Sequence, residues 1–110
     1  MLSVALKSLS EIASQTHARI QADFPAIDPI IGVNQGMRES GFPADLLTID
    51  CLKTNKRIII LLHDDMPEMA RYQFAFRNKD PDGDFKDIQL ADITIQILYD
   101  WVSTYFTAAS

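Results

Sequence analysis

Arg57-Ile58-Ile59-Ile60-Leu61-Leu62-His63 is the stretch that decides the fold. Five branched apolar residues follow one another without a break between an arginine and a histidine. Because successive side chains of a strand point to opposite faces, Ile58, Ile60 and Leu62 cover one face and the two residues between them cover the other. Such a run is typical of a central strand whose two faces are both hidden from water. The sequence therefore predicts cover on both faces, and a second subunit is one source of it.

The segments on either side of this run alternate between apolar and polar residues, which predicts two further strands. Leu46–Leu52 and Arg71–Arg77 each present one apolar face, and the turn at Thr54-Asn55 and the loop at 63–69, which contains Pro67, connect the three strands antiparallel. The apolar faces match each other across the central strand: Leu47, Ile49 and Cys51 on one side, and Tyr72, Phe74 and Phe76 on the other.

Apolar residues at three- and four-residue spacing predict a helix at each end of the chain. The first extends from about Ser3 to Phe24, and the capping-box spacing of Ser8 and Glu11 offers a later start. The second is capped by Asp92 and continues nearly to the end of the chain. The predicted fold is therefore α+β: an N-terminal helix, a three-stranded antiparallel meander and a C-terminal helix, with one layer of sheet packed by the helices. Five aromatic residues are expected at the centre of its core: Tyr72, Phe74, Phe76, Trp101 and Phe106.

The segment 25–45 differs in character from the rest of the chain. It holds three of the four glycines and three of the five prolines, yet also Ile30, Ile31, Val33, Met37 and Phe42. It is too apolar for a loose linker, and a compact domain rarely carries so long a segment unless the segment packs or functions. We predict a flap folded onto a single α+β domain of residues 1–110, with a short helical turn near Asn34–Glu39.

Composition limits the classes of function. The net charge of −5 is spread evenly, with three basic and six acidic residues in 1–50 and seven and nine in 51–110, so a nucleic-acid partner is not expected. The order helix, three strands, helix resembles that of double-stranded-RNA-binding domains. Such domains need a basic surface at the start of the last helix, where this chain has Gln89-Leu-Ala-Asp-Ile. The longest apolar run has five residues and no signal peptide is recognised, which favours a cytoplasmic protein without a membrane partner.

The candidate chemistry lies at the end of the central strand, where His63, Asp64 and Asp65 are followed by Glu68. A histidine with carboxylates can bind a divalent metal or act as a base with its orienting group. The ordinary interpretation is turn chemistry, since no spacing here is diagnostic. Asp80, Asp82 and Asp84 begin like a calcium loop but lack its later glycine and glutamate, which favours a β-turn. Cys51 is interpreted as a core residue. No catalytic set and no cofactor are predicted.

Two hypotheses for function follow. The first is a non-catalytic protein–protein interaction module that forms a homodimer, with an interaction surface on the face of the sheet away from the helices: Ile59, Leu61, Leu46, Leu52 and Arg77. The second is a small enzyme or a protein that binds a ligand or a metal. Its site would lie under the 25–45 flap, near His63, Asp64 and Asp65, with Arg38 as a further polar group.

Overall fold

The computed structural model describes residues 3–79, 83 and 85–108. A long helix stands near each end of the chain, and antiparallel strands lie between them. In chain order the elements are α1 (Val4–Asp23), β1 (Ile30–Asn34), α2 (Gly36–Glu39), β2 (Ala44–Cys51), β3 (Lys56–His63), β4 (Met69–Phe76), β5 (Lys86–Gln89) and α3 (Ile95–Thr107), with a 3₁₀ turn (Leu90–Asp92) before α3.

The strands form one antiparallel sheet in the order β1-β2-β3-β4-β5. The predicted α+β architecture, with its N-terminal helix, antiparallel sheet and C-terminal helix, is confirmed. The prediction of three strands is wrong, because the described residues form five. The two additional strands are short and lie at the edges: β1 within the 25–45 segment, and β5 after the turn that follows β4.

The three central strands pair so that the apolar faces matched in the sequence lie on the same side of the sheet. Ile60 lies opposite Leu47 on one side and opposite Tyr72 on the other. Directly opposite residues in a sheet share a face. The alternating apolar residues of β2, β3 and β4 therefore form one continuous apolar surface.

The helix α1 begins where the apolar spacing predicted, with Ser3 as its cap, whereas the predicted cap of α3 is wrong. The hydroxyl of Ser3 accepts a hydrogen bond from the N–H of Leu6, so α1 begins before Ser8. The hydroxyl of Thr94 accepts one from Ile97, and Asp92 lies in the preceding 3₁₀ turn instead of capping α3. In each helix a hydroxyl satisfies an N–H of the first turn that has no partner within the helix.

Both helices pack on the same face of the sheet, which we call the covered face. From α1 and α3 the buried residues are Leu6, Leu9, Ala13, Ile20, Leu98, Val102 and Phe106; from the sheet they are Leu47, Ile49, Cys51, Ile58, Ile60, Leu62 and Ala70. The opposite face, which we call the open face, carries neither of the two long helices.

The aromatic centre of the core was predicted incorrectly for two residues. Phe106 is buried, and Tyr72 and Trp101 are partly buried, but Phe74 is 42% exposed and Phe76 is 40% exposed. Packed helices lie about 8–10 Å apart and paired strands about 4.8 Å apart, so two helices cover about four strands. The β4 side of a five-stranded sheet therefore extends beyond α3, where the ring of Phe74 meets those of Trp101, Tyr105 and Tyr72 but remains partly open to solvent.

Candidate functional site

The polar cluster at the end of β3 is organised around Arg38, which α2 brings across from the 25–45 segment. Ala44 pairs with His63, so Asp45 and Asp64 lie close together at the same end of the sheet. The guanidinium of Arg38 donates two hydrogen bonds to each carboxylate, at 3.0 and 3.0 Å to Asp45 and at 2.9 and 2.8 Å to Asp64. The arginine thus links α2 to the start of β2 and to the end of β3.

The electrostatics of the cluster follow from these hydrogen bonds. The bond from Arg38 lowers the pKa of Asp64 below its ordinary value, and the positive charge of Arg38 lowers it further. Hydrogen bonds to Asp64 and then to Asp45 raise the pKa of Arg38. The side chain of Asp45 is only 2% exposed and points to the covered side of β2. A nearly buried carboxylate requires such a partner, since an unpaired buried charge is costly.

The three predicted residues of this loop do not converge on a common point. Nδ1 of His63 accepts a hydrogen bond from the backbone N–H of Asp65 at 3.0 Å, while the imidazole and the ring of Phe42 form a T-shaped contact. Both carboxylate oxygens of Asp64 are bonded to Arg38, and the side chain of Asp65 is 83% exposed. Among residues 3–79, 83 and 85–108, no group of three or more histidine, cysteine, aspartate or glutamate residues is placed to hold a metal ion. Asp80, Asp82 and Asp84 lie outside the described residues.

The two cavities near this loop are not roofed by the 25–45 segment. One, of about 150 Å³, is lined by Asp45, Leu62, His63 and Asp64, together with residues from α1 and from the loop after β3. The other, of about 590 Å³, lies between α1 and the 3₁₀ turn, and is lined mainly by apolar residues that include Leu9, Ile12 and Leu90. Asp45 is the single residue of the 25–45 segment in either lining. The polar cluster and the larger cavity are therefore separate features.

The open face carries a second charged cluster, which includes Arg77 of the predicted interaction surface. Arg57 donates two hydrogen bonds to Asp50, at 2.7 and 2.9 Å, and this contact raises the pKa of Arg57. Nε of Arg77 lies 3.5 Å from the same carboxylate, and Arg77 also donates to the side chain of Asn55. Further along the face, Arg71 pairs with Asp87 at 3.1 Å. The basic side chains of this face are thus held in place by acidic neighbours.

The apolar residues of the predicted interaction surface differ in exposure. Ile59 lies between Thr48 and Gln73 and is 5% exposed, although no described helix lies above it. Leu46 and Leu61 are paired across the strands and half-buried. Leu52, in the turn after β2, is 53% exposed. The long side chains of the open face therefore shield its centre and leave the leucines accessible.

Sequence reasoning missed Lys56, which is 3% exposed on the covered face. Its ammonium donates to the carbonyl oxygens of Tyr105 and Ala108, at 2.9 and 2.8 Å, and lies 5.0 Å from the centre of the Tyr105 ring. The last carbonyls of a helix have no partner within it and carry partial negative charge. Lys56 therefore anchors the end of α3 to β3. In the sequence, the signal that could have indicated its burial is its position close to the apolar run of β3.

Comparison with known proteins gives no functional assignment, because no family model, no curated protein and no solved structure matches the chain. No helix within the described part of the chain is long and apolar enough to cross a membrane.

Proposed function

We propose that this protein is a non-catalytic protein-binding module that self-associates through the open face of its sheet. The observation that carries the proposal is the placement of both long helices on the covered face, so that neither of them covers the other side of the five-stranded sheet, where Gln73 donates a hydrogen bond to Gly83 of the β4–β5 connection. A single layer of helices on one face is a complete architecture only if the other face meets water or a partner.

The open face has the composition of an interface. Its accessible apolar positions, Leu46 and Leu61, lie opposite each other on β2 and β3, near the shielded Ile59. The charged clusters flank them, with Arg57 and Asp50 toward one end and Arg71 and Asp87 toward one edge. An apolar centre inside a polar rim, with arginines prominent, is typical of protein–protein contacts.

The charges also suit contact between two identical copies. Each arginine of the open face already has an acidic neighbour, so the face carries both signs in close alternation. A twofold contact places the same patch against itself. A patch of one sign would repel its copy, whereas paired opposite charges permit the approach.

The polar cluster at the end of β3 gives less support to the hypothesis of an enzyme. Arg38, Asp45 and Asp64 bond to one another, and His63 receives a backbone N–H of its own loop. Groups engaged in this way hold α2 against the sheet. A general base, in contrast, must have an acceptor atom free to form a hydrogen bond with the substrate.

The proposal is tested by measuring mass against concentration with sedimentation velocity, for the wild-type chain and for Leu61→Glu. We expect the wild-type chain to associate and Leu61→Glu to raise the dissociation constant at least about 100-fold, because a carboxylate in an apolar interface must be desolvated. The introduced carboxylate lies opposite Arg71, which keeps the monomer folded. Val4→Glu is the matched control, because Val4 is 84% exposed on α1, and it should associate like the wild type.

The result that contradicts the proposal is a wild-type chain that remains monomeric at every concentration. Equal association of Leu61→Glu and the wild type would contradict the choice of the open face while leaving self-association in place.

A further inference from the structure

We infer that β1 pairs antiparallel with β1 of a second copy and joins two sheets into one of ten strands. This inference rests on the proposed self-association and adds a second surface, the edge of the sheet, to the open face. The partner is a second copy of this chain.

The edge formed by β1 has an unused row of backbone groups. All five residues of β1 pair with β2 on one side. On the other side no strand is described, and no described residue outside β2 exchanges a backbone hydrogen bond with Ile30–Asn34. An edge of this kind is a template for another strand unless the protein protects it.

The side chains of β1 do not protect it. The strand reads Ile-Ile-Gly-Val-Asn, with no charged residue and no proline between positions 30 and 34, and Ile30 and Val33 are 45% and 42% exposed. The opposite edge is different: β5 reads Lys-Asp-Ile-Gln, and both of its charged residues are exposed. Charges on an edge strand are a common device against pairing between molecules. In a chain of net charge −5, the uncharged β1 is suited to meet its own copy.

The sequence of β1 also fits pairing with itself in one register. With the twofold axis at Gly32, Ile31 lies opposite Val33 of the second copy and Ile30 lies opposite Asn34. Ile31 and Val33 are on the covered face, since they pair with Ile49 and Leu47 of β2. The pairing therefore extends the apolar surface of each sheet across the junction with β-branched pairs, which favour strand pairing.

Gly32, which lies at the axis, is the one residue of β1 without a side chain. A Cβ atom there would lie 3.1 Å from the hydroxyl oxygen of Thr48, so a side chain is accommodated poorly on the open face. Two glycines that meet at the axis add no bulk between the copies.

The geometry fixes the form of the assembly. A twofold axis perpendicular to the sheet pairs identical strands antiparallel and keeps both pairs of helices on the same side. The open faces of the two copies then form one broad surface. Two such dimers that meet through their open faces make a tetramer with two different interfaces, so each interface can be removed separately.

The first test combines variants of the two interfaces and measures mass by sedimentation velocity. Val33→Lys places a charge on the β1 edge, and we expect it to convert the wild-type tetramer into a dimer. Leu61→Glu should also give a dimer, and the double variant a monomer. Gln89→Lys, at the exposed edge of β5, is the control and should leave the mass unchanged.

The second test identifies the register by oxidative cross-linking. Ile30→Cys and Asn34→Cys are exposed single variants, and the native Cys51 is buried. A mixture of the two should form an intermolecular disulfide, because these positions face each other across the axis at disulfide distance, while either variant alone should not. A mixture of Lys86→Cys and Gln89→Cys at the other edge should remain uncross-linked.

The two proposals fail in different ways. If the chain associates but Val33→Lys keeps the wild-type mass and the 30/34 mixture does not cross-link, the pairing of β1 is overturned and the open face remains. Cross-linking of Ile30→Cys alone overturns the register centred on Gly32. A monomeric wild-type chain overturns self-association and the pairing of β1 together.

Discussion

The two faces of the sheet hide apolar residues in different ways. On the covered face, α1 and α3 bury Ile58 and Ile60 completely. On the open face, Ile59 is 5% exposed although neither long helix lies above it, with Thr48 and Gln73 beside it and the Asp50–Arg57 pair nearby. Long charged side chains carry apolar stems that cover neighbouring residues while their ends remain in water. An unbroken apolar strand therefore does not by itself require a second layer of helices.

The largest difference between the faces is expected for two adjacent isoleucines of β3. Ile60→Ala should lower the free energy of unfolding by about 3–4 kcal/mol, because the helices cannot close the cavity. Ile59→Ala should lower it by only about 1–2 kcal/mol, because flexible side chains can relax into the space and water can enter. Urea unfolding in the Val33→Lys/Leu61→Glu double variant, which is expected to be monomeric, measures both. Equal losses would mean that the open face is packed as rigidly as the covered one.

A smaller difference is expected for the two neighbouring cations, Lys56 on the covered face and Arg57 on the open face. Lys56→Met should cost about 2–3 kcal/mol, because two carbonyl oxygens at the end of α3 lose a charged donor in a buried place. Arg57→Met should cost about 1 kcal/mol, since Arg77 remains 3.5 Å from Asp50.

The melting temperatures of the two variants give the comparison. Methionine approximately preserves the length of each side chain and removes its charge. The anchoring role of Lys56 is contradicted if Lys56→Met is as stable as the wild type, or if Arg57→Met is the less stable of the two.

The smallest effect on stability is expected at the rim of the sheet, where Asp64 accepts hydrogen bonds from Arg38. The folded protein lowers the pKa of Asp64 below its ordinary value of 3.8, so the folded state binds this proton less well than the unfolded chain. The stabilisation by Asp64 is therefore complete above about pH 4 and is lost as pH falls through the lowered pKa.

Asp64→Asn should accordingly flatten the acid side of a plot of melting temperature against pH. Asp65→Asn is the control, because the Asp65 side chain is 83% exposed and accepts no hydrogen bond from Arg38. Identical acid profiles for Asp64→Asn and the wild type would mean that the bond to Arg38 does not stabilise the fold.

The central part of the fold was predictable because its signals are local. The alternation in β2 and β4 and the run in β3 each define a strand and a face, and the register agrees with them. The edge strands gave weaker signals. β1 has five residues within a window rich in glycine and proline, and β5 has four mainly polar residues. Their pairing depends on neighbours that the local sequence does not reveal.

The candidate site was less predictable for a similar reason. His63, Asp64 and Asp65 are contiguous in sequence, but contiguous residues of a strand end point in different directions. The partner of Asp64 is Arg38, 26 residues away, and that distance is closed only by α2 and β2 together. The exposure of Phe74 likewise depends on the width of the whole sheet relative to two helices.

The stack of Trp101 on Tyr72, with ring centres 4.4 Å apart, supplies an optical probe of one particular junction. Trp101 is the chain's one tryptophan and lies where α3 rests on β4. Its emission therefore reports on the docking of the C-terminal helix without any label. A change in fluorescence that precedes the loss of β-sheet ellipticity during denaturation would identify α3 as the first element to detach.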